Sequence, residues 1–215
     1  GLEDTGLMAT ESGREVLTVA GSLLLLPDPA VVGGRPYVDL RRYFSDEAEP
    51  DKVWQVRGPL DHQIEQSTSD VLAELGSVSA IVGVQRLEMP KVPPLALREA
   101  LANAVAHRSY EHAGTAIRVD IRPNVLTITS PGSLPEPVTV ENIRHQQSAR
   151  NDRVLGALRR MGLAEDLGKG IDRMEDDMAA ELLQPPEFED DGSFFTVRLP
   201  LGGVVTPRER AWVRG

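Results

Sequence analysis

The segment Pro94–Tyr110, PLALREALANAVAHRSY, decides the fold prediction because three polar residues recur in it at four-residue intervals. Glu99, Asn103 and His107 occupy positions i, i+4 and i+8, so a helix places them in one stripe. A carboxylate and an amide oxygen one turn apart can orient a water molecule and hold hydrated Mg²⁺. A solvated stripe on an ordinary amphipathic helix has the same spacing, and the surrounding segments must decide between these interpretations.

Composition limits the kind of molecule. A chain of 215 residues can form one large domain or two small ones, and its core must be aliphatic because aromatic residues make up only 4%. The formal net charge of −10 argues against binding of nucleic acid by the whole surface. The chain has no cysteine, which excludes disulfides and thiolate metal sites and favours a cytoplasmic location. No apolar run approaches the roughly 20 residues of a membrane span, so no membrane association is expected.

Upstream of Pro94 the pattern predicts two helices and one strand. In order along the chain, we expect a loose polar stretch over 1–15, a short buried helix Thr18–Leu26, a strand Tyr37–Phe44, an acidic loop Ser45–Asp51, a helix Gln63–Leu75 and a connection over 77–93. The helices rest on apolar periodicity and the strand on its β-rich composition.

Downstream, the pattern predicts strands, a loop and then helices. The predicted elements are the strands 117–121 and 125–129, the loop Ser130–Pro137, an irregular segment Asn142–Ser148, a helix capped by Asn151 and closed by Gly162, a helix opened by Gly168-Lys169-Gly170, and a final hairpin ending in Phe194–Leu199. Thr206, Pro207 and Glu209 have the order of a helix start, with Thr as N-cap and Glu at the third position. Because that helix would be short, we expect the chain to be the middle of a longer protein.

Two glycine segments are candidates for ligand binding. Gly132 would let a flat ligand approach the backbone, although a surface turn has the same composition. Gly168-Lys169-Gly170 would present free N–H groups, a positive helix end and a full charge to a phosphate, or would merely tighten a turn between helices. The motif G-x-x-x-x-G-K-[ST] does not occur in the chain, which excludes a P-loop helicase motor for these residues.

Other chemistries find little support in the pattern. The histidines lack the H-E-x-x-H spacing of a zinc helix, and neither a G-x-S-x-G motif nor a cysteine nucleophile is present. His107 and Arg108 end the predicted helix, where they could reach an anion. Arg150 belongs to a small basic cluster with Arg153, Arg159 and Arg160, which could serve a nucleotide or pack on the acidic turn 187–191.

The order of these segments resembles the GHKL ATP-binding fold of gyrases, Hsp90-type chaperones and histidine kinases. More closely, residues 93–200 resemble the C-terminal ATPase-like module of the RecG-related transcriptional regulators of bacteria and archaea. The matching phrases are LREALANAVAHRSY, ITSPGSLP, SARND, LRRMGLAEDLGKGIDRM and PPEFEDDGSFFTVRLP. The resemblance implies an α+β, two-layer sandwich with a mixed or antiparallel sheet, plus a smaller N-terminal α/β remnant.

The resemblance also implies a domain order. Residues 1–50 would be the C-terminal part of a Schlafen-type DNA-binding domain, 51–92 a connector, 93–201 the ATP-binding module, and 202–215 the start of a helix or winged-helix region. The whole protein would be a cytoplasmic transcription regulator. DNA would bind through the missing upstream domain and little through this chain alone, and the protein could form a homo-oligomer.

Site residues follow from the resemblance position by position. Glu99 would act as general base on the attacking water, and Asn103 would ligate Mg²⁺ that bridges the phosphates of ATP. The nucleotide contacts implied or suggested by these segments are Asn103, His107, Arg108, Gly132, Arg150, Gly168, Lys169 and Gly170.

One motif departs from the family pattern. The usual first glycine box is Asp-x-Gly-x-Gly, whose Asp binds the adenine amino group, whereas this chain has Ser130-Pro131-Gly132-Ser133-Leu134. Three functions therefore stay open. The first is a nucleotide-responsive module of a DNA-binding regulator, with weak Mg²⁺-dependent ATPase activity as a possible enzyme function. The second is a degenerate GHKL fold used only for dimerisation or scaffolding, and the third is an active ATPase that powers a conformational cycle on DNA.

Overall fold

The computed structural model describes residues 5–45, 48–82, 84–112, 114–164, 168–203 and 205–214. The strands within these ranges are β1 Met8–Glu11, β2 Arg14–Leu17, β3 Val38–Arg42, β4 Lys52–Val56, β5 Ser77–Val82, β6 Gln85–Pro90, β7 Ile117–Ile121, β8 Val125–Pro131, β9 Glu187–Asp190 and β10 Phe194–Pro200. The helices are α1 Val19–Leu25, α2 Leu60–Leu75, α3 Pro94–His107, α4 Asp152–Arg160, α5 Gly170–Ala180 and α6 Pro207–Arg214, and a short 3₁₀ helix spans Pro29–Val32.

A six-stranded mixed sheet organises the molecule. Its strand order is β4-β3-β7-β8-β10-β9, and β1/β2 and β5/β6 form separate two-stranded sheets. β3 and β7 run parallel, with Val38 opposite Ile117, whereas the other neighbouring strands of the large sheet are antiparallel. This arrangement confirms the predicted α+β sandwich with a mixed sheet.

The apolar core lies between the helices and one face of this sheet. Alternate residues of a strand point to the same face, and Val38, Val119 and Ile128 are at most 1% exposed there. Helix α3 packs against β8 and also against α2 and α5. Its Leu97 and Leu101 are fully buried, so α3 occupies the centre of the molecule and its polar stripe is held by a rigid scaffold.

The opposite face of the sheet is polar. Asp39, Arg118, Thr129 and Thr196 form one row across four neighbouring strands. Three arginines of this face form ion pairs with neighbouring carboxylates. Arg118 Nε lies 3.1 Å from an oxygen of Asp120, and ion pairs also join Arg41 to Asp39 and Arg198 to Glu189. This face carries balanced charge, unlike the chain as a whole.

Several elements expected from the sequence are present. Helix α1 has Thr18 as its N-cap, α3 begins at Pro94, and the strands β7, β8 and β10 fall where the alternation predicts them. Thr206 and Glu209 form the expected capping box, since the Thr206 N–H donates to Glu209 Oε2 at 2.8 Å and the Glu209 N–H donates back to Thr206 Oγ1.

Three strand segments were not predicted. The β1/β2 hairpin of residues 8–17 includes most of the stretch 1–15 that was expected to be loose. The connection 77–93 contains the β5/β6 hairpin, and β4 follows the acidic loop. These strands are largely exposed and carry many polar residues, so apolar alternation is weak in them. The acidic loop Ser45–Asp51 lies partly outside the described residues.

The domain division proposed from the sequence does not separate the sheet. β3 comes from the first proposed segment, β4 from the connector and β7 from the ATP-binding module, yet all three are neighbours in one sheet. The division therefore stays a prediction about the origin of the segments. In the folded chain the segments share one core.

Asn151 serves a different purpose from the predicted helix cap. It precedes α4, but its side chain makes no capping hydrogen bond to that helix. Its Nδ2 instead donates to the carbonyl oxygens of Ala106 and Arg108, at 2.9 and 2.8 Å. Asn151 thus satisfies carbonyl groups at the end of α3, which a helix terminus leaves without intrahelical partners.

Among the described residues, no helix combines the length and the hydrophobicity that crossing a membrane requires.

Candidate functional site

The polar stripe of α3 faces a pocket of about 130 Å³. Glu99, Asn103 and His107 all line it, as their four-residue spacing predicts. The Asn103 Nδ2 donates a hydrogen bond of 3.0 Å to Glu99 Oε1, and Glu99 is only 6% exposed. This bond fixes the orientation of the Asn103 amide and leaves its Oδ1 as the side-chain atom with ligand character.

The start of α5 closes the pocket opposite α3. Gly170 is the first residue of that helix, and a Cβ built on it would lie 2.0 Å from Glu99 Oε1. Only glycine permits this approach, because real Cβ atoms do not come so close to another atom. The carboxylate of Glu99 thus lies beside a helix N-terminus, where the N–H groups and the helix dipole favour negative charge.

The second glycine contacts a different side chain. Gly168 has φ of +83°, and a Cβ on it would lie 1.7 Å from Nε2 of Gln147. Gln147 belongs to the irregular segment predicted between β8 and α4, and it lines the same pocket. Lys169 stands at the N-cap position between the two glycines but is not among the residues that line the pocket.

Apolar residues make up most of the remaining wall. Phe188, Phe195 and Val197 come from β9 and β10, and Met174 lies one turn into α5. The rings of Phe188 and Phe195 are parallel within 7°, with centroids 6.2 Å apart. The other lining residues are Leu134, Pro135, Val138, Ile143, Gln146, Ser148, Ala149, Leu155, Arg159, Ala164 and Ile171.

Gly132 supports the pocket without lining it. Its φ of +104° and the 2.9 Å between a built Cβ and the Cβ of Ser109 make a side chain unfavourable there. Its N–H donates to the Ser193 carbonyl at 2.7 Å, which ties the end of β8 to the β9–β10 turn. The residues that follow, Leu134 and Pro135, reach the pocket instead.

Arg108 and Arg150 were predicted as nucleotide contacts, and the structure does not bring either into the pocket lining. Arg108 is 2% exposed, and its guanidinium donates to the carbonyl oxygens of Arg35 and Thr115, both at 2.7 Å. Burial lowers the pKa of Arg108 from its usual value. Arg108 therefore organises loop backbone behind the end of α3.

Arg150 joins two walls of the site from outside. Its Nε donates to the carbonyl of His107 at 3.1 Å, and its Nη2 donates to the carbonyl of Ser133 at 2.7 Å. These bonds connect the end of α3 with the loop after β8. Of the predicted basic cluster, the structure brings Arg159 into the pocket lining.

His107 is neutral in this environment at physiological pH. Burial, as the main cause, and the positive charges of Arg150 and Arg159 together lower the pKa of its imidazole to about 4, although the negative charge of Asp152 acts in the opposite direction. An anionic ligand near His107 would reverse part of this effect, because negative charge favours the protonated ring.

Ser130 stands where the first glycine box of the GHKL fold usually has an aspartate, and its hydroxyl bonds to the backbone of α3 instead of lining the pocket. The hydroxyl donates to the carbonyl of Ala104 at 2.9 Å, and Ser130 is 5% exposed. It is not among the pocket-lining residues. The end of β8 therefore uses this residue to attach the sheet to α3.

Sequence reasoning missed the apolar wall and Gln147. Phe188 and Phe195 reach the pocket only because β9 pairs with β10 in the register that places Phe188 opposite Val197. That pairing is local, and the predicted hairpin contained the necessary signal. Nothing in the sequence indicates which loop residue contacts Gly168.

Comparison with known proteins supports the fold. Residues 114–199 match a family model described as "Putative ATP-dependent DNA helicase recG C-terminal", so Gly132, Arg150 and the Gly168–Gly170 segment lie inside the match and α3 lies before it. No curated protein matches the chain. The crystal structure of the DIP2311 protein from Corynebacterium diphtheriae is similar, with 27% identity and a TM-score of 0.76.

That similarity covers 94% of this chain and 40% of the DIP2311 chain. The present chain thus corresponds to less than half of that protein. Within it, residues 114–199 resemble an ATPase-like C-terminal module, which agrees with the fold and the position of the pocket.

Proposed function

We propose that the chain is an ATP-binding regulatory module of a prokaryotic DNA-binding transcription regulator. The observation that carries the proposal is the meeting of Glu99 and Asn103 with the glycine-flanked start of α5 in one pocket. The match of residues 114–199 to an ATPase-like module also supports the proposal; this range includes the start of α5, whereas α3 lies before it.

The donor set of the pocket fits Mg²⁺ and a polyphosphate. Mg²⁺ prefers oxygen ligands and keeps several waters, so one amide oxygen and the phosphates suffice to hold it. Asn103 would supply that oxygen, while the N–H groups at the start of α5, together with Arg159 and His107, would face the phosphates. When bound, Mg²⁺ neutralises the phosphate charge.

Glu99 is the residue we propose for proton transfer. Its carboxylate is held by Asn103 and lies beside Gly170, so it is oriented before any ligand arrives. A water next to Glu99 would lose a proton to that carboxylate as its oxygen bonds to the γ-phosphorus of ATP, while the bond from that phosphorus to the bridging oxygen breaks and ADP leaves. A regulatory module needs only slow turnover, and we propose weak Mg²⁺-dependent hydrolysis.

DNA binding belongs, in this proposal, to a domain upstream of these residues. The description of the matching family names a DNA helicase, which supports a role on DNA. The charge of −10 makes this chain a poor ligand for phosphate backbones, because counterion release requires clustered Lys and Arg. A gel-shift comparison with a chain that includes the upstream residues should show tight, salt-sensitive binding only for the longer chain.

Calorimetric titration with Mg·ATP tests the proposed ligand. Asn103→Ala should abolish the Mg²⁺-dependent part of ATP binding. Glu99→Gln should retain ATP binding, but its rate of hydrolysis should be lower by about 10²–10⁴-fold. Gln55→Ala, an exposed residue of β4 on the edge of the sheet, is the control and should behave as wild type. Equal Mg·ATP affinity of wild type and Asn103→Ala would refute the role of Asn103.

A second function is favoured by the contacts at the glycines. Gln147 lies against Gly168 and Glu99 against Gly170, so the chain's own side chains occupy the place where phosphates would lie. A GHKL-type fold that serves only for dimerisation or scaffolding would keep such contacts permanently. Sedimentation analysis with and without Mg·ATP separates the two: a scaffold would self-associate equally in both, without heat of nucleotide binding.

A further inference from the structure

The pocket separates two kinds of chemistry on different elements. Residues able to meet a phosphate come from α3, from the end of α4 and from the start of α5, among them Asn103, His107 and Arg159. The wall formed by β9, β10 and the second turn of α5 is apolar, with Phe195, Val197 and Met174. A ligand that fits both has an anionic part and a flat apolar part, which is the general form of a nucleotide.

Two side chains near the pocket that could read the edge of a base, Ser130 and Asp190, are engaged in hydrogen bonds within the chain. Ser130 donates to the Ala104 carbonyl. The carboxylate of Asp190 accepts from the N–H groups of Leu134 and Gly192, at 2.8 and 2.9 Å, and Asp190 is not among the lining residues. Within the described part of the lining, the single carboxylate is that of Glu99, which is bound to Asn103 beside Gly170.

Among the described lining residues, the hydrogen-bonding side chains left for a base are Gln146 and Ser148, on the loop before α4. Gln147 lies against Gly168, on the phosphate side of the pocket. A glutamine amide carries a donor and an acceptor, and rotation by 180° exchanges them, while a serine hydroxyl can donate or accept. Such groups can pair with the amino edge of adenine or with the oxo edge of guanine, whereas a fixed carboxylate only accepts.

We infer that this pocket selects nucleoside triphosphates by their phosphates and by the apolar area of the base, and that it does not discriminate between adenine and guanine. The inference rests on the proposed function, since it concerns the ligand of the same site. A site whose polar groups hydrogen-bond to the edge of one base binds the other base about 10⁴-fold more weakly, because the buried polar groups of the protein are then left without partners. A site that reads area alone discriminates far less, since both purines bury a similar surface.

Calorimetry of the chain with ATP, GTP and tripolyphosphate, each with Mg²⁺, tests the inference. We expect the dissociation constants of ATP and GTP to agree within about tenfold, which is the range of discrimination by packing alone. A larger preference for either nucleotide would overturn the inference and leave the proposed function intact. Failure of both nucleotides to bind would overturn the inference together with the proposed function.

Two neighbouring phenylalanines supply a matched pair of variants. Phe195 lines the pocket, whereas Phe194 borders the polar face of the sheet. Phe195→Ala should weaken the binding of ATP and of GTP by the same factor, about tenfold for the loss of one stacking partner. The affinity for tripolyphosphate should not change. Phe194→Ala should change none of the three. An effect of Phe195→Ala on only one nucleotide would show specific reading of that base and contradict the inference.

Discussion

At the scale of single residues, the close approach of Gly170 to Glu99 gives the most direct prediction. Gly170→Ala places a methyl group 2.0 Å from the present position of Glu99 Oε1, so the carboxylate must move. We expect a loss of about 1–3 kcal/mol in stability from overpacking, together with loss of Mg·ATP binding. Urea denaturation and calorimetry measure the two effects.

Gly156→Ala is the matched control. Gly156 lies inside α4, and a Cβ on it would meet only the flexible end of Arg160, at 3.7 Å. Alanine is a better helix former than glycine, so this variant should be more stable by about 0.5–1 kcal/mol. If both variants had the same free energy of unfolding, the close approach of Gly170 to Glu99 would not contribute to the stability of the fold.

A second prediction at this scale concerns pH. The pKa of His107 is about 4 in the folded chain and close to its usual 6.5 when unfolded, so between these values the unfolded state binds more protons. Stability should therefore fall as pH decreases from 6.5 towards 4, and this one group should account for about 2 kcal/mol between pH 7 and pH 4.5. Arg150, Arg159 and Asp152 are the charges that act on it.

The measurement is urea denaturation of wild type and His107→Gln at both pH values. Carboxylates titrate in the same range in both proteins, so the difference between the two pH dependences isolates the histidine. A His107→Gln variant with the same pH dependence as wild type would contradict the lowered pKa.

At the scale of elements, the loop before α4 lies against the residues that precede α5, through Gln147 and Gly168. The amide of Gln147 lies against Gly168, where a phosphate would have to bind. Gln147→Ala removes this internal competitor, and we expect Mg·ATP to bind about three- to tenfold more tightly because the competent state is more populated. Gln146→Ala, which lines the pocket without contacting Gly168, should not tighten binding. Weaker binding by Gln147→Ala would instead make Gln147 a direct ligand.

The sequence predicts those elements that are specified by a local pattern of residues, and it does not predict pairings between distant segments. α3, β7 and β8 carry strong periodicity, so their existence and the common face of Glu99, Asn103 and His107 were predicted correctly. The parallel pairing of β3 with β7 joins residues far apart in the chain, and no local pattern encodes it. Asparagine is a residue type that favours the N-cap of a helix, but the side chain of Asn151 hydrogen-bonds to carbonyl groups at the end of α3. Here a tertiary contact overrides the local preference.

At the scale of the whole molecule, α5 connects the pocket with the C-terminal helix. It begins at Gly170 beside Glu99, and Glu181 at its other end pairs with Arg210 of α6, whose Nη2 also donates to the Pro90 carbonyl at 3.1 Å. Arg210→Met removes the ion pair with Glu181 and the hydrogen bond to the Pro90 carbonyl. It should destabilise the chain by about 2–3 kcal/mol, since a hydrogen bond to a charged group contributes about 1.5–3 kcal/mol.

The exposed Arg208 on the same helix provides the control, and Arg208→Met should change stability little. Urea denaturation gives the total effect, and hydrogen exchange shows whether the loss is concentrated in β5, β6 and α6. Equal stability of the two variants would mean that the Glu181–Arg210 pair does not hold α6 in place.

In the proposed function, the stripe of α3 and the start of α5 form one nucleotide site. A crystal structure with Mg²⁺ and a non-hydrolysable ATP analogue tests it most directly. We predict phosphates at the N–H groups of Gly168–Gly170, Mg²⁺ on Oδ1 of Asn103 and the base against Phe195. A nucleotide bound on the polar face of the sheet, or one that leaves Asn103 without contact, would contradict the claim.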